Sequence, residues 1–259
     1  MLFSNRPRTH YEANPIHEVI CQLRFPTILS INQTEPADFQ EQIRDIFPQY
    51  ACKQETLPPQ IVNGKPVAQP PVNNYNFISM DNRWKINLTK DFIAVSTLSY
   101  SDWEEFAHML DKPLASFIQL YKPAYFQRVG LRYMNLISRA KLNLEGTPWA
   151  ELIAPAYLGV LTEEDFSESN LLHYGYDVQL KLDSSSIAKI HAGPGKIQVK
   201  NSTAPQDPEV KFIFDMDLSM SGNTPCGLAA ASLEMLHGHA NRIFEGAITD
   251  TLREAMGQQ

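Results

Sequence analysis

Two aspartates, Asp215 and Asp217, stand two residues apart in the run Phe212-Ile213-Phe214-Asp215-Met216-Asp217-Leu218. Residues two apart in a strand project from one face. The two carboxylates would therefore lie side by side, where such a pair can hold a divalent cation or act as acid and base. The same alternation of apolar and polar residues marks a half-exposed strand, and that is the expected reading. Asp177 and Asp183 could join the pair, or could face Arg24 and Arg132. Each arginine sits mid-strand beside apolar residues, in Leu23-Arg24-Phe25 and Leu131-Arg132-Tyr133. A guanidinium offers a fork of donors that fits a carboxylate. These two either bind an anion or a partner's carboxylates, or bond acids across the sheet, and the second is expected.

Other reactive residue types carry weaker patterns. The chain has seven His and no HExxH spacing. His237 and His239 are two apart, hence on different faces of a helix, and His173 and His191 are candidate helpers for the aspartates. Cys226 precedes a helical stretch, where a thiolate would be activated, but a small buried residue is the default. Gly193-Pro194-Gly195-Lys196 lacks the spacing of a phosphate loop and reads as a hairpin turn. The three Cys (Cys21, Cys52 and Cys226) are widely spaced, which argues against a disulfide framework or a zinc site. No metal and no cofactor is expected.

Composition is that of a globular protein: 259 residues, 43% hydrophobic and 20% charged, with a net charge of −7. A chain this long buries most of its unfolded surface without staples. The negative charge argues against broad nucleic-acid binding, which needs a basic footprint, although Lys122 to Asn143 holds Lys122, Arg128, Arg132, Arg139 and Lys141 without an acid. No apolar run reaches the roughly 18 residues of a membrane-spanning helix. Nor does the N-terminus read as a signal peptide. The expectation is a soluble cytoplasmic protein.

The elements that must position these residues follow from periodicity. Ile16 to Phe25 alternates as a strand. Thr34-Glu35-Pro36 opens a helix carrying Phe39, Ile43, Ile46 and Phe47. Leu57 to Asn74, rich in Pro, reads as a loop. Tyr75–Met80, Trp84–Leu88 and Phe92–Leu98 read as strands. Ser101-Asp102-Trp103-Glu104 is a capping box before a long helix that Pro113 should break or kink. The order then restarts. Gln127–Ile137 is a strand, and Thr147-Pro148-Trp149 opens a short helix. Tyr174–Leu182, Ser186–Ala192 with Ile197–Val199, and Val210–Met220 are strands. Leu228 to Met256 is a helical region loosened at Gly238 and Gly246.

This repeated order, strand-helix-strands-helix, predicts an α+β fold of two similar halves, 1–123 and 124–259, in one compact unit. Such halves would make a curved antiparallel sheet with long helices on one face, in a TATA-binding-protein-like or hot-dog-like arrangement. The other face must meet solvent or bind something. Arg24, Arg132, Tyr133, Trp84 and Tyr176 are the candidate binding residues, with Lys85 beside them.

Asn14-Pro15-Ile16-His17-Glu18-Val19, Leu23-Arg24-Phe25, Leu131-Arg132-Tyr133-Met134-Asn135, Leu236-His237, Phe244 and Ile248-Thr249-Asp250-Thr251-Leu252-Arg253-Glu254 together resemble a sporadically distributed prokaryotic family of about this length. The resemblance implies an accessory or mobile gene, in a defence or toxin-antitoxin system, and supplies no reaction. The expected function is a non-enzymatic module that binds a protein partner or self-associates, without membrane. The alternative is a hydrolase or nucleic-acid-processing enzyme built on Asp215 and Asp217.

Overall fold

The computed structural model describes residues 2–7, 9–56, 58–62, 64–196 and 207–257. It is a mixed α/β protein with a large antiparallel sheet and helices. The strands are β1 (Ile16–Arg24), β2 (Gln49–Glu55), β3 (Gln60–Val62), β4 (Lys65–Val67), β5 (Val72–Ile78), β6 (Trp84–Leu88), β7 (Phe92–Thr97), β8 (Phe126–Ile137), β9 (Tyr176–Lys181), β10 (Ser186–Gly195) and β11 (Lys211–Thr224). The helices are α1 (Leu29–Gln33), α2 (Ala37–Ile43), α3 (Trp103–Tyr121), α4 (Trp149–Leu152), α5 (Ala229–Ala247) and α6 (Asp250–Ala255), with short 3₁₀ turns after α4 and before α5. Nine strands form one sheet in the order β2-β5-β6-β7-β1-β8-β11-β10-β9, and β3 and β4 pair separately. No helix among the described residues is long and apolar enough to cross a membrane.

The chain forms two compact units, each assembled from separated segments. The first comprises Met1–Val19, Leu131–Ser219 and Glu234–Gln259, and the second Ile20–Gly130 and Met220–Leu233. Residues 123 and 124, where the sequence restarts, both lie in the second unit.

In the second unit, β2, β5, β6 and β7 pair antiparallel in sequence, with Tyr75 opposite Leu88 and Ile86 opposite Val95. One face of β5, β6 and β7 is apolar and packs on α3 and α2. Trp84 meets Phe106 at 5.5 Å, Phe25 meets Phe117 at 4.7 Å and Phe39 meets Phe77 at 5.4 Å. Helix α3 begins one residue later than the sequence suggests: Asp102 is the cap, its side chain accepting the Glu105 N–H at 2.7 Å. Pro113 neither ends nor interrupts it. An interior proline removes one backbone bond, but Trp103, Phe106, Leu110, Leu114 and Phe117 form a buried stripe on both sides of it. Each fully buried large apolar side chain contributes on the order of 2 kcal/mol, which outweighs one lost bond.

Two other readings are corrected here. Thr34 does not cap a helix; it closes α1, a helix the periodicity did not reveal, and Pro36 stands at the start of α2 without a side-chain cap. The stretch from Leu57 is not all loop, since β3, β4 and the start of β5 lie within it.

In the first unit, β9 and β10 pair antiparallel with Gln179 opposite Lys189. The core gathers Tyr157 and Phe244 against Phe214, and Trp149 against Phe212. Pro148, expected at the first helical position, stands instead at the cap of the short helix α4. The Trp149 N–H behind it is taken by the Glu168 carboxylate at 2.6 Å. The segment 192–196 is not a turn; β10 runs extended through Gly193 and Pro194 to Gly195. Ile197–Val199 lie outside the described residues. The C-terminal helical region breaks at Ile248 and Thr249, where the Thr249 hydroxyl caps α6, while Gly238 and Gly246 remain helical.

Candidate functional site

The alternation of β8 and β11 sorts side chains onto two faces. In the first unit Tyr133 points at α5, its hydroxyl 2.9 Å from His237 Nδ1, and Phe214 packs on Phe244. Asn135 follows Tyr133 on that face and donates to the Phe214 carbonyl at 2.9 Å. Arg132 and Asp215 therefore lie on the other face. They pair in bidentate fashion, Arg132 Nε to Asp215 Oδ1 at 2.8 Å and Nη2 to Oδ2 at 2.6 Å. The Asp215 carboxylate makes the guanidinium hold its proton more tightly than usual, with Glu18 and Asp217 adding to the effect. One cation thus stands among three anions.

Beside the pair, a shallow hollow of about 420 Å³ is lined by Asp177, Gln179, Lys189, His191, Asp215 and Asp217, among others. His191 Nδ1 contacts Asp177 Oδ1 at 2.9 Å, and both side chains are largely exposed. His173 and His191 flank Gly175. His173 lines a larger cleft of about 1320 Å³, together with Arg139, Trp149, Glu168, Lys196 and Glu209. Arg139 is not displayed there for binding. It lies 4.1 Å over the Trp149 ring and donates to the Thr147 carbonyl at 2.7 Å and to Glu168 at 2.9 Å.

The remaining candidates fall elsewhere. Arg24 is exposed on β1 in the second unit and donates to the Gln22 side chain at 3.0 Å. Trp84 is buried in the α3-facing core, opposite to the face on which it was expected, because its strand alternates Trp84, Ile86 and Leu88 inward. Tyr133 is buried as described, and Tyr176 is half-buried, edge-on to Tyr157 at 5.6 Å. Neither aromatic shares the Arg132 face. Asp183 meets neither arginine; it accepts the backbone N–H groups of Ser185 and Ser186 and contacts His239 Nε2 at 3.2 Å. Cys226 is not an activated thiolate: burial pushes its thiol up, and its Sγ sits 3.3 Å from the Pro123 carbonyl. Lys85 is exposed on β6, on the face away from Trp84.

That same face of the second unit carries a feature the sequence reading missed, an amide ladder. The Asn87 side chain donates to Asn74 Oδ1 at 3.0 Å and Asn76 Oδ1 at 2.8 Å, and Asn74 donates to Glu55 at 2.6 Å. Its signal was the alternation of Asn74 and Asn76 opposite Asn87. Among the described residues no group of His, Cys, Asp and Glu is arranged to hold a metal ion.

Chemically, the Arg132 face can present fixed charges. Both Asp215 oxygens are already acceptors for Arg132, so this carboxylate is poorly placed to accept a substrate proton. Fold and face together define a mixed α/β protein with one strand face covered by helix and the other displaying charge. Compared with family models and with the curated proteins, the chain matches none.

Proposed function

We propose that this protein is a non-enzymatic protein-binding module, and that its first unit binds through the face carrying Arg132, Asp215, Asp217, Lys189 and His191. The observation that carries this reading is the bidentate Arg132–Asp215 clamp. A side chain held by two short bonds loses little freedom on binding, and preorganisation of this kind favours association. Charges of both signs fixed at known positions give specificity and register to an interface. The acids Glu18, Asp177, Asp215 and Asp217 would repel a phosphate backbone, which disfavours nucleic acid as the partner. The commitment of Asp215 to Arg132 disfavours the alternative, a hydrolase using strand carboxylates.

The same proposal includes an internal duplication in a TATA-binding-protein-like or hot-dog-like arrangement. Its support is the order of strands, which reads β1-β7-β6-β5 in one direction and β8-β11-β10-β9 in the other. The resemblance to a sporadically distributed prokaryotic family supports a partner encoded in the same accessory or mobile system.

Cross-linking of the native protein with its co-purified partner, read by mass spectrometry, tests the binding face. Cross-links are expected at Lys189. The double variant Lys189→Glu with His191→Ala should lose the partner while its circular dichroism and thermal midpoint stay unchanged. A folded double variant that keeps the partner at full occupancy would overturn the reading.

A further inference from the structure

Strand β9 closes one end of the sheet order, with β10 as its neighbour. Among the described residues no strand pairs with its other edge. An open edge is a row of unmet N–H and C=O groups. The β9–β10 ladder identifies the residues that supply it. Leu180 stands opposite Ala188 and Gln179 opposite Lys189, and one step beyond, the Leu182 N–H donates to the Ser186 carbonyl at 2.9 Å. In an antiparallel ladder alternate residues turn both backbone groups to the same neighbour. Val178, Leu180 and Leu182 therefore turn theirs to β10. Asp177, Gln179 and Lys181 turn theirs outward. The side chains of these three are exposed, while Tyr176, Val178 and Leu180 are half-buried.

We propose that β9 pairs antiparallel with β9 of a second copy of this chain, centred on Gln179. In that register the outward-facing backbones meet only one another: Gln179 faces Gln179 of the partner subunit, and Asp177 faces Lys181 of the partner subunit, twice by symmetry. Each of these pairs exchanges both backbone bonds and sets its side chains opposite on one face. Val178 faces Leu180 of the partner subunit on the other face. A slide by two residues keeps the bonding phase but sets Asp177 or Lys181 against the amide of Gln179. A slide by four opposes Asp177 to its own copy, or Lys181 to its own copy. The bonding phase, fixed by Leu182 and Ser186, and the charge pattern, fixed by the sequence, thus select the same register independently. The contact is short for a protein interface, so the dimer is reversible and depends on concentration. It uses the backbone edge of β9, and Asp177 and Gln179 also line the hollow beside the face proposed above; sedimentation of the isolated protein tests the pairing without that face's partner.

Sedimentation equilibrium over a wide dilution series tests the pairing. The wild type should move from monomer to dimer. Lys181→Glu and Asp177→Lys each create two like-charge contacts and should raise the dissociation constant about tenfold or more. The double variant that carries both should return to the wild-type value. Gln179→Pro deletes an outward N–H without touching the β10 ladder, and should be monomeric. Gln179→Cys should form an intersubunit disulfide on mild oxidation, because hydrogen-bonded partners stand about 5.5 Å apart. Far-UV circular dichroism confirms that each variant is folded. A wild type that stays monomeric throughout overturns the proposal. So does a dimer indifferent to Lys181→Glu, or a charge-swapped double variant that does not recover.

Discussion

Arg253 Nε lies 3.1 Å from Glu245 Oε2, with 7% and 1% of the two side chains exposed. Arg253 also donates to the Glu245 carbonyl and, at 2.7 Å, to Asp250, which Arg6 reaches at 2.8 Å. The Tyr11 hydroxyl gives Glu245 a further bond at 2.7 Å. The network ties the N-terminal segment to α5 and α6. Removing one partner strands a buried charge, at a cost of about 3–5 kcal/mol. Arg253→Met and Glu245→Leu should each lower the urea midpoint by that equivalent. The double variant should lose less than the sum of the two, and strict additivity would show that the pair is uncoupled.

The Arg132–Asp215 pair should behave more mildly, because Arg132 is 37% exposed and water screens it. Arg132→Gln and Asp215→Asn should each cost about 1 kcal/mol, with a coupling of about the same size in a double-mutant cycle. Chemical denaturation of the four proteins measures it. A coupling near zero would remove the clamp on which the proposed face depends.

Asp183 gives the protein a dependence on acid. The Ser186 hydroxyl, with the Ser185 and Ser186 N–H groups, holds its carboxyl well below the usual carboxylate range, against a smaller effect of burial. A lowered folded pKa means stability that is present above the unfolded value of about 3.9 and is lost as pH falls through the folded one. Asp183→Asn should therefore be less stable than wild type by about 1–2 kcal/mol near neutrality. That gap should narrow below about pH 4. A gap that widens in acid would reverse the sign and refute the assignment.

The three thiols should separate by reactivity. Burial pushes Cys21 up to about 12, and raises Cys226 and Cys52 as well. Cys52 is exposed, Cys226 intermediate and Cys21 buried. Since the thiolate is the reacting species, a disulfide reagent should modify Cys52 first, Cys226 more slowly and Cys21 only in denaturant. Fast labelling of Cys226 at neutral pH would contradict its burial.

Sequence periodicity carried the mixed α/β class, α3 and most strands, because their apolar residues recur on one buried face. It failed at β2, whose residues Gln49–Glu55 are all exposed. An edge strand without a buried face has no alternation to read. It failed again at α1 and at the hairpin of β3 and β4, which are too short for a period. Arg132 was singled out correctly as needing an acid, yet nothing local chose Asp215, 83 residues away, over Asp177 or Asp183. Trp84 was assigned to the wrong face because strand register is set by which neighbours supply a core, here Phe106 of α3. The motif Leu131-Arg132-Tyr133-Met134-Asn135 became intelligible only in three dimensions, with Arg132 clamping Asp215, Tyr133 meeting His237 and Asn135 bonding the Phe214 carbonyl.

The first unit is drawn from residues 1–19, 131–219 and 234–259. During synthesis the early segment emerges long before the helix residues it must meet: Ser4 waits for Arg242, and Ala13 for Met256. Non-local closure of this kind slows folding. The second unit draws almost entirely on Ile20–Gly130, so much of it can assemble on the ribosome while the opening residues stay uncommitted. Closing the first unit thus needs residues from both ends of the numbering, and it cannot be complete until the segment from Glu234 onward has been made.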